Sequence, residues 1–168
     1  MKHAVPAAFL LLASLTASTP LLADTTMAYP SADHASFLID YPDHWTMEPG
    51  ESVGDYSTLT GPNGTTLWFR TVDGNKEALQ QAMADTGEWL KENYTDIQVS
   101  DPTPAAQHGL SGFQATAAGT DEDGNRVGFA LAWMDLKDGK IGEIAFATFG
   151  DEAEVKQAGA ILSSFRSP

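Results

Sequence analysis

The acidic stretch in the second half of the sequence is the most conspicuous candidate for chemistry. Residues 119–128 read GTDEDGNRVG, with three consecutive acids before a Gly-Asn pair. A calcium loop of the EF-hand type needs glycine at its sixth position and a bidentate glutamate at its twelfth. Counted from Asp121, the glycine comes fourth, at Gly124, and the twelfth position is Ala132. We therefore predict a polar hairpin tip, because an Asp-Gly pair between two apolar runs is typical of a tight turn.

The histidines are the second candidate, since an imidazole beside a carboxylate is common in zinc and copper sites. Two such pairs occur, Asp33-His34 and Asp43-His44. The strand predicted between them separates the pairs by about ten residues, or ~30 Å at ~3.3 Å per residue, which is too far for one ion. His108 lies in a proline-containing segment with no fixed relation to either pair. We predict no metal-ligating residues.

Nucleophilic catalysis is the third candidate. The stretch HGLSGF contains Ser111, but the nucleophile elbow requires glycine where Phe113 stands. The sequence contains no phosphate-binding Gly-Lys-Ser/Thr loop, no His-Glu-x-x-His motif and no dinucleotide-binding glycine pattern. Carboxylates are so numerous that no pair can be singled out for acid–base work. We predict no catalytic residue, no cofactor-binding residue and no cofactor.

The N-terminal segment is typical of a secretory signal peptide. Lys2 precedes an apolar stretch over residues 4–17, and small residues follow as far as Ala23. No later apolar run approaches the roughly 18 residues that a membrane helix needs. We expect cleavage near Ala23, a flexible lead-in over 24–35 and one domain over 36–168. The mature protein is then expected to be soluble and either periplasmic or secreted.

The charge balance excludes some partners. The chain carries 23 acids against 9 Lys and Arg, and loss of Lys2 with the leader leaves 8 bases against 23 acids, a net charge of −15. Such a field repels phosphate backbones and anionic lipids, so we expect no nucleic-acid partner and no stable membrane insertion. A protein partner in the envelope and weak divalent-cation binding both remain open. The chain has no cysteine, so a lipid anchor, disulfides and thiol chemistry are excluded.

Hydrophobic periodicity predicts an α+β domain. Runs of alternating or continuous apolar residues, separated by turn residues, indicate strands. Apolar residues spaced three and four apart indicate two helices. Asn75 is predicted to cap the first helix, and a capping box of Asp151 and Glu154 the second. The segment DPTPAAQHG is predicted to be a loop. We therefore expect an antiparallel sheet of about six strands covered by two main helices. The predicted strands are 37–41, 55–60, 65–72, 97–100, 110–119, 126–137 and 140–149, and the helices are 75–94 and the segment from 151.

The two ends of this domain resemble one known group. The opening FLIDYPDHW, residues 37–45, resembles the first strand and the Tyr/Phe-Pro-x-x-Trp turn of PsbP-like and Mog-like proteins, and the closing ILSSFRSP, residues 161–168, resembles their last helix. The stretches GLSGF and DGK lie between them in matching order. The resemblance implies a sheet with helices on both faces, used as a non-enzymatic accessory or binding scaffold without a common catalytic set. It also implies that Trp45 is a core residue.

The sequence does not decide whether three large aromatic residues are buried or exposed. Trp68 and Phe69 lie on opposite faces of one predicted strand, and Trp89 lies beside the apolar stripe of the first helix. They form either core or an exposed patch for a partner. Our first hypothesis is an exported, non-enzymatic binding or accessory protein of the cell envelope. The alternatives are a weak divalent-cation binder that uses the acidic surface and, as the last of the three, a hydrolase whose site is assembled from distant residues.

Overall fold

The computed structural model describes residues 25–148 and 152–168. The predicted signal peptide and Asp151 of the predicted capping box lie outside the described residues. No helix among the described residues is long and apolar enough to cross a membrane. The strands are β1 (Thr25–Tyr29), β2 (Phe37–Tyr41), β3 (Thr46–Glu48), β4 (Ser57–Thr60), β5 (Thr66–Asp73), β6 (Thr95–Val99), β7 (Thr103–Gln107), β8 (Leu110–Thr120), β9 (Arg126–Asp135) and β10 (Lys140–Ala147), and the helices are α1 (Lys76–Asn93) and α2 (Glu152–Ser164).

The main sheet is antiparallel and has eight strands, so the prediction of about six was too low. Its order is β3-β4-β5-β10-β9-β8-β6, with β7 also paired to β8. β3 spans only three residues, too few to show an alternating pattern. The segment predicted to be a loop contains β7, where Pro104 pairs with Phe113. A proline is tolerated there because β7 is an edge strand and one side of it needs no N–H donor.

The range 24–35, which was predicted to be a flexible lead-in, contains a further strand. β1 pairs antiparallel with β2 to form a separate two-stranded sheet. Tyr29 at the end of β1 is buried, and its ring stacks on Phe37 with 4.8 Å between the centroids. This burial fixes the segment against the domain, although its short polar sequence shows no clear strand period.

Two cores lie on opposite faces of the main sheet. On one face, α2 and β2 pack over Phe69 through Phe37 and Phe165. The approach is close, since a Cβ on Gly142 would lie 2.6 Å from the Phe165 ring. On the other face, α1 buries Leu90 in a cluster with residues of β8, β9 and β10. The sheet is therefore sandwiched between two layers, and β9 is covered on both sides, as its two apolar faces predict.

The first helix forms where its periodicity predicts. Asn75 caps it, because its side-chain oxygen accepts from the backbone N–H of Ala78 at 2.8 Å. Ala82, Thr86 and Leu90 are buried along the inner stripe. Trp45 is also buried, as the resemblance implies, and its indole N–H donates to the side chain of Gln157 in α2 at 2.9 Å.

Candidate binding surface

The acidic stretch forms the turn between β8 and β9. One carboxylate oxygen of Asp121 accepts from the backbone N–H groups of Asp123 and Asn125, at 3.0 and 2.7 Å. The side-chain amide of Asn125 donates to the other oxygen at 3.1 Å. These bonds, led by that amide, lower the pKa of Asp121. Gly124 has a φ of +85°, which the turn requires. The Asp121 carboxylate thus stabilises a hairpin tip, as the Asp-Gly pair predicts.

The three histidines among the described residues lie at separate positions. His34 ends a short 3-10 turn, His44 contacts the side chain of Gln157 at 3.3 Å, and His108 contacts the carbonyl of Ser163 at 2.8 Å. The described residues contain no group of three His, Cys, Asp or Glu side chains that could hold a metal ion. Ser111 lies beside Asp135, with 3.5 Å between its hydroxyl and the carboxylate, and both residues are exposed.

A buried carboxylate that the sequence analysis missed lies beneath α1. Glu143 on β10 is 2% exposed. One of its oxygens accepts from the Thr86 hydroxyl at 2.6 Å and from the Trp133 indole N–H at 2.9 Å. The other accepts from Nε of Arg70 at 2.6 Å. The available signal was one charged residue, Arg70 in β5 and Glu143 in β10, with apolar residues two positions away on both sides.

Tyr56 completes this cluster. The Arg70 guanidinium lies over the Tyr56 ring, 4.3 Å from its centroid. Burial, followed by the negative charge of Glu143, raises the pKa of Tyr56 above its ordinary value, so the phenol stays neutral. Between them, the two Glu143 oxygens accept from three donors. The cluster therefore ties α1 to β5, β9 and β10.

A second buried carboxylate joins α2 to the β4–β5 turn. Glu154 is 3% exposed and accepts from the backbone N–H groups of Asn63 and Thr65. The turn passes so close that a Cβ on Gly61 would lie 2.9 Å from the Glu154 carboxyl carbon. This carboxylate also has a structural role, because it satisfies two backbone donors of the turn, one of them on the buried Thr65.

The described residues form an open groove between α1 and the edge strand β6. The groove has a volume of about 670 Å³, and its lining is mostly apolar, with one acid and one base. One of the large exposed apolar side chains lines it, Val99, which is 44% exposed. The lining residues are Met83, Ala84, Gly87, Glu88, Lys91, Ile97 and Val99.

The aromatic residues divide between core and surface. Phe69 is fully buried, Trp68 is half-buried and Trp89 is 40% exposed. Trp89 contacts both Trp68 and Tyr94, each with 5.8 Å between ring centroids. Trp68 therefore contributes to the α1 core, while Trp89 packs against it and stays partly exposed.

The sequence by itself matches no family model and no curated protein sequence. Solved structures nevertheless share the fold. LpqN, involved in cell envelope biogenesis of Mycobacterium tuberculosis, is 17% identical, with a TM-score of 0.54 over 86% of this chain and 90% of LpqN. The cyanobacterial PsbP (CyanoP) of Synechocystis sp. PCC 6803 is 12% identical, with a TM-score of 0.57 over 90% of this chain and 96% of CyanoP.

The Saccharomyces cerevisiae Ran-binding protein Mog1p is 11% identical, with a TM-score of 0.53 over 84% of this chain and 93% of Mog1p. The fold is therefore that of PsbP-like and Mog-like proteins, as the resemblance of the two chain ends predicts. At these identities the likeness establishes the fold alone.

Proposed function

We propose that the protein is an exported, non-enzymatic accessory protein of the cell envelope that acts by binding a protein partner. The observation that carries this proposal is the fold it shares, over most of its length, with LpqN, which is involved in cell envelope biogenesis, and with the Ran-binding protein Mog1p. The likeness is structural, so the role itself is inferred.

The state of the buried polar groups supports a binding role. Glu143 and Glu154 are both held by donors from other elements of the chain. A general acid or base needs at least one oxygen within reach of a substrate, and these carboxylates are occupied. The groove beside α1 is instead mostly apolar and open, which is the character of a recognition surface.

The N-terminal sequence supports export. Its basic start, apolar stretch and small residues before Asp24 are the three parts of a secretory leader. The test is cell fractionation of the organism that encodes the protein, with intact-mass measurement of the purified product. We expect a product that begins at Asp24 outside the cytoplasm, and a variant lacking residues 1–23 that stays inside as the control. Full-length protein in the cytoplasm would overturn the proposal.

The binding role has its own test in the same cells. Gentle extraction at native abundance followed by size-exclusion chromatography should place the protein in a complex with a second polypeptide at fixed stoichiometry. A monomer under all extraction conditions, together with turnover of a defined substrate by the pure protein, would contradict a non-enzymatic role.

A further inference from the structure

The groove between α1 and β6 has a geometry that suits an added strand. β6 ends the strand order of the main sheet, and among the described strands it pairs only with β8. Ile97 and Val99 are two residues apart on β6 and both line the groove. An extended peptide that pairs with the edge of a sheet beside a helix gains main-chain hydrogen bonds from the strand, while alternate side chains enter the groove.

Gly87 gives the groove its depth. It lies in the interior of α1, where glycine disfavours the helix relative to alanine. Packing does not require it, since a Cβ added there would meet no atom within 4 Å. A larger side chain at this position would extend into the groove, because Gly87 is one of the lining residues. Glycine thus keeps open a space that the fold could have filled.

Acids predominate at the end of the groove where β6 begins. Among the lining residues there is one acid, Glu88, and one base, Lys91. The β8–β9 turn adjoins the start of β6, because Thr95 pairs with Thr120. The exposed charged residues at this end are the acids Glu92, Asp96, Glu122 and Asp123 and the base Arg126.

We propose that this groove binds an extended segment of a protein partner that has apolar residues at alternate positions and Lys or Arg toward one end. The apolar residues enter the space over Gly87 and Val99, and the basic end lies by the acids where β6 begins. The segment pairs with the Ile97–Val99 part of β6, because the register shifts between Thr95 and Gln98 and Asp96 has a left-handed φ of +52°. This inference rests on the proposed binding role and names its surface and partner chemistry.

The test selects binders from random decapeptides displayed on phage, using the purified full chain. We expect enrichment of peptides with Val, Ile or Leu at alternate positions and Lys or Arg toward one end. The most enriched peptide is then synthesised with a fluorophore. By fluorescence anisotropy, it should bind Gly87→Leu at least tenfold more weakly than it binds wild type. Gly159→Leu is the matched control: Gly159 also lies inside a helix with nothing within 4 Å of its Cβ position, but on α2. The affinity of the peptide for Gly159→Leu should differ less than twofold from its affinity for wild type.

Two further variants keep the test decisive. Val99→Glu alters an exposed side chain, so the fold is retained, and it should also weaken the peptide at least tenfold. A peptide methylated at alternate backbone nitrogens should bind at least tenfold more weakly if it pairs with β6. The inference is overturned by no enrichment, by enriched peptides without the alternating pattern, or by equal binding to wild type and Gly87→Leu.

Failure of this inference is distinguishable from failure of the proposed function. Peptide selection is done in vitro and does not depend on where the cell delivers the protein. Groove binding without export would refute the envelope role and leave the surface intact. Export and a stable complex without peptide binding in the groove would refute the proposed binding surface but not the envelope role.

Discussion

Arg70 and Glu143 lie directly opposite each other on β5 and β10, and Nε of Arg70 donates to the Glu143 carboxylate at 2.6 Å. The other carboxylate oxygen accepts from Thr86, so the ion pair also holds α1 on the sheet. The side chains are 17% and 2% exposed, which places the pair mostly out of water. Such a pair fixes the position of an element more surely than it adds net stability.

Replacing Glu143 should therefore be costly. Glu143→Gln keeps an acceptor for Trp133 and Thr86 but turns an amide donor toward Arg70, and it leaves that guanidinium without its counter-charge. We expect a loss of about 2–4 kcal/mol in the free energy of unfolding, measured by urea denaturation. Glu92→Gln on the exposed side of α1 is the control and should stay within about 0.5 kcal/mol. Equal unfolding midpoints for the two variants would contradict the role of the pair.

Glu154 should stabilise the protein through the β4–β5 turn. Glu154→Gln removes the charge from the bonds to Asn63 and Thr65 and replaces one acceptor by a donor. We expect a loss of about 1–3 kcal/mol in unfolding free energy. Glu152→Gln is the matched control on the same helix, since Glu152 is 85% exposed and forms a surface ion pair with Lys156. The prediction is wrong if Glu152→Gln lowers the free energy of unfolding as much as Glu154→Gln does.

Gly87 and Gly159 should both be replaceable by alanine with a gain in stability. Each lies inside a helix, and neither has an atom within 4 Å of its Cβ position. We expect each substitution to add about 0.5–1 kcal/mol, measured as a rise in the thermal midpoint. A loss at Gly87 alone would mean that the backbone of α1 needs glycine there, and the argument from groove depth would then fail.

Asp40 should make stability depend on pH in the acid range. Hydrogen bonds from Arg166, at 2.7 and 2.9 Å, lower the pKa of this carboxylate below its ordinary value. A folded-state pKa below the unfolded value of about 3.9 contributes stability that is complete above that value and is lost as pH falls through the folded pKa. Asp40→Asn should cost about 1 kcal/mol at pH 7. Its unfolding free energy should also fall less steeply than that of wild type below about pH 4.

A parallel decline of wild type and Asp40→Asn over that acid range would contradict the prediction. Arg166→Gln removes the donor that lowers the pKa of Asp40, so the unfolding free energy of this variant should also fall less steeply than that of wild type.

The sequence predicted the elements that have strong periodicity and missed those that depend on tertiary contacts. The Asn75 cap, the Gly61–Gly64 turn and the two-sided burial of β9 follow from local patterns. β1 has no clear strand period and β3 has only three residues, and both form because β2 and β4 are there to pair with them. Pro104 suggested a loop, but it occupies an edge strand.

The candidate site was less predictable than the fold. The groove depends on the packing of α1 beside β6, which no local pattern encodes. Glu143 and Arg70 are far apart in sequence, and only the register of β5 and β10 brings them together. The acidic turn, in contrast, was interpretable at once because its Asp-Gly pair has a local geometric requirement.

The most direct test of a surface-binding role is site-specific photo-cross-linking in the organism that encodes the protein. A photoreactive amino acid would replace Val99 in the groove or, as the control, Lys156 on the exposed side of α2, where the side chain is 67% exposed. We predict that illumination yields one discrete adduct with a second polypeptide from position 99 and none from position 156. Adducts of equal yield from both positions, or from neither, would contradict the account.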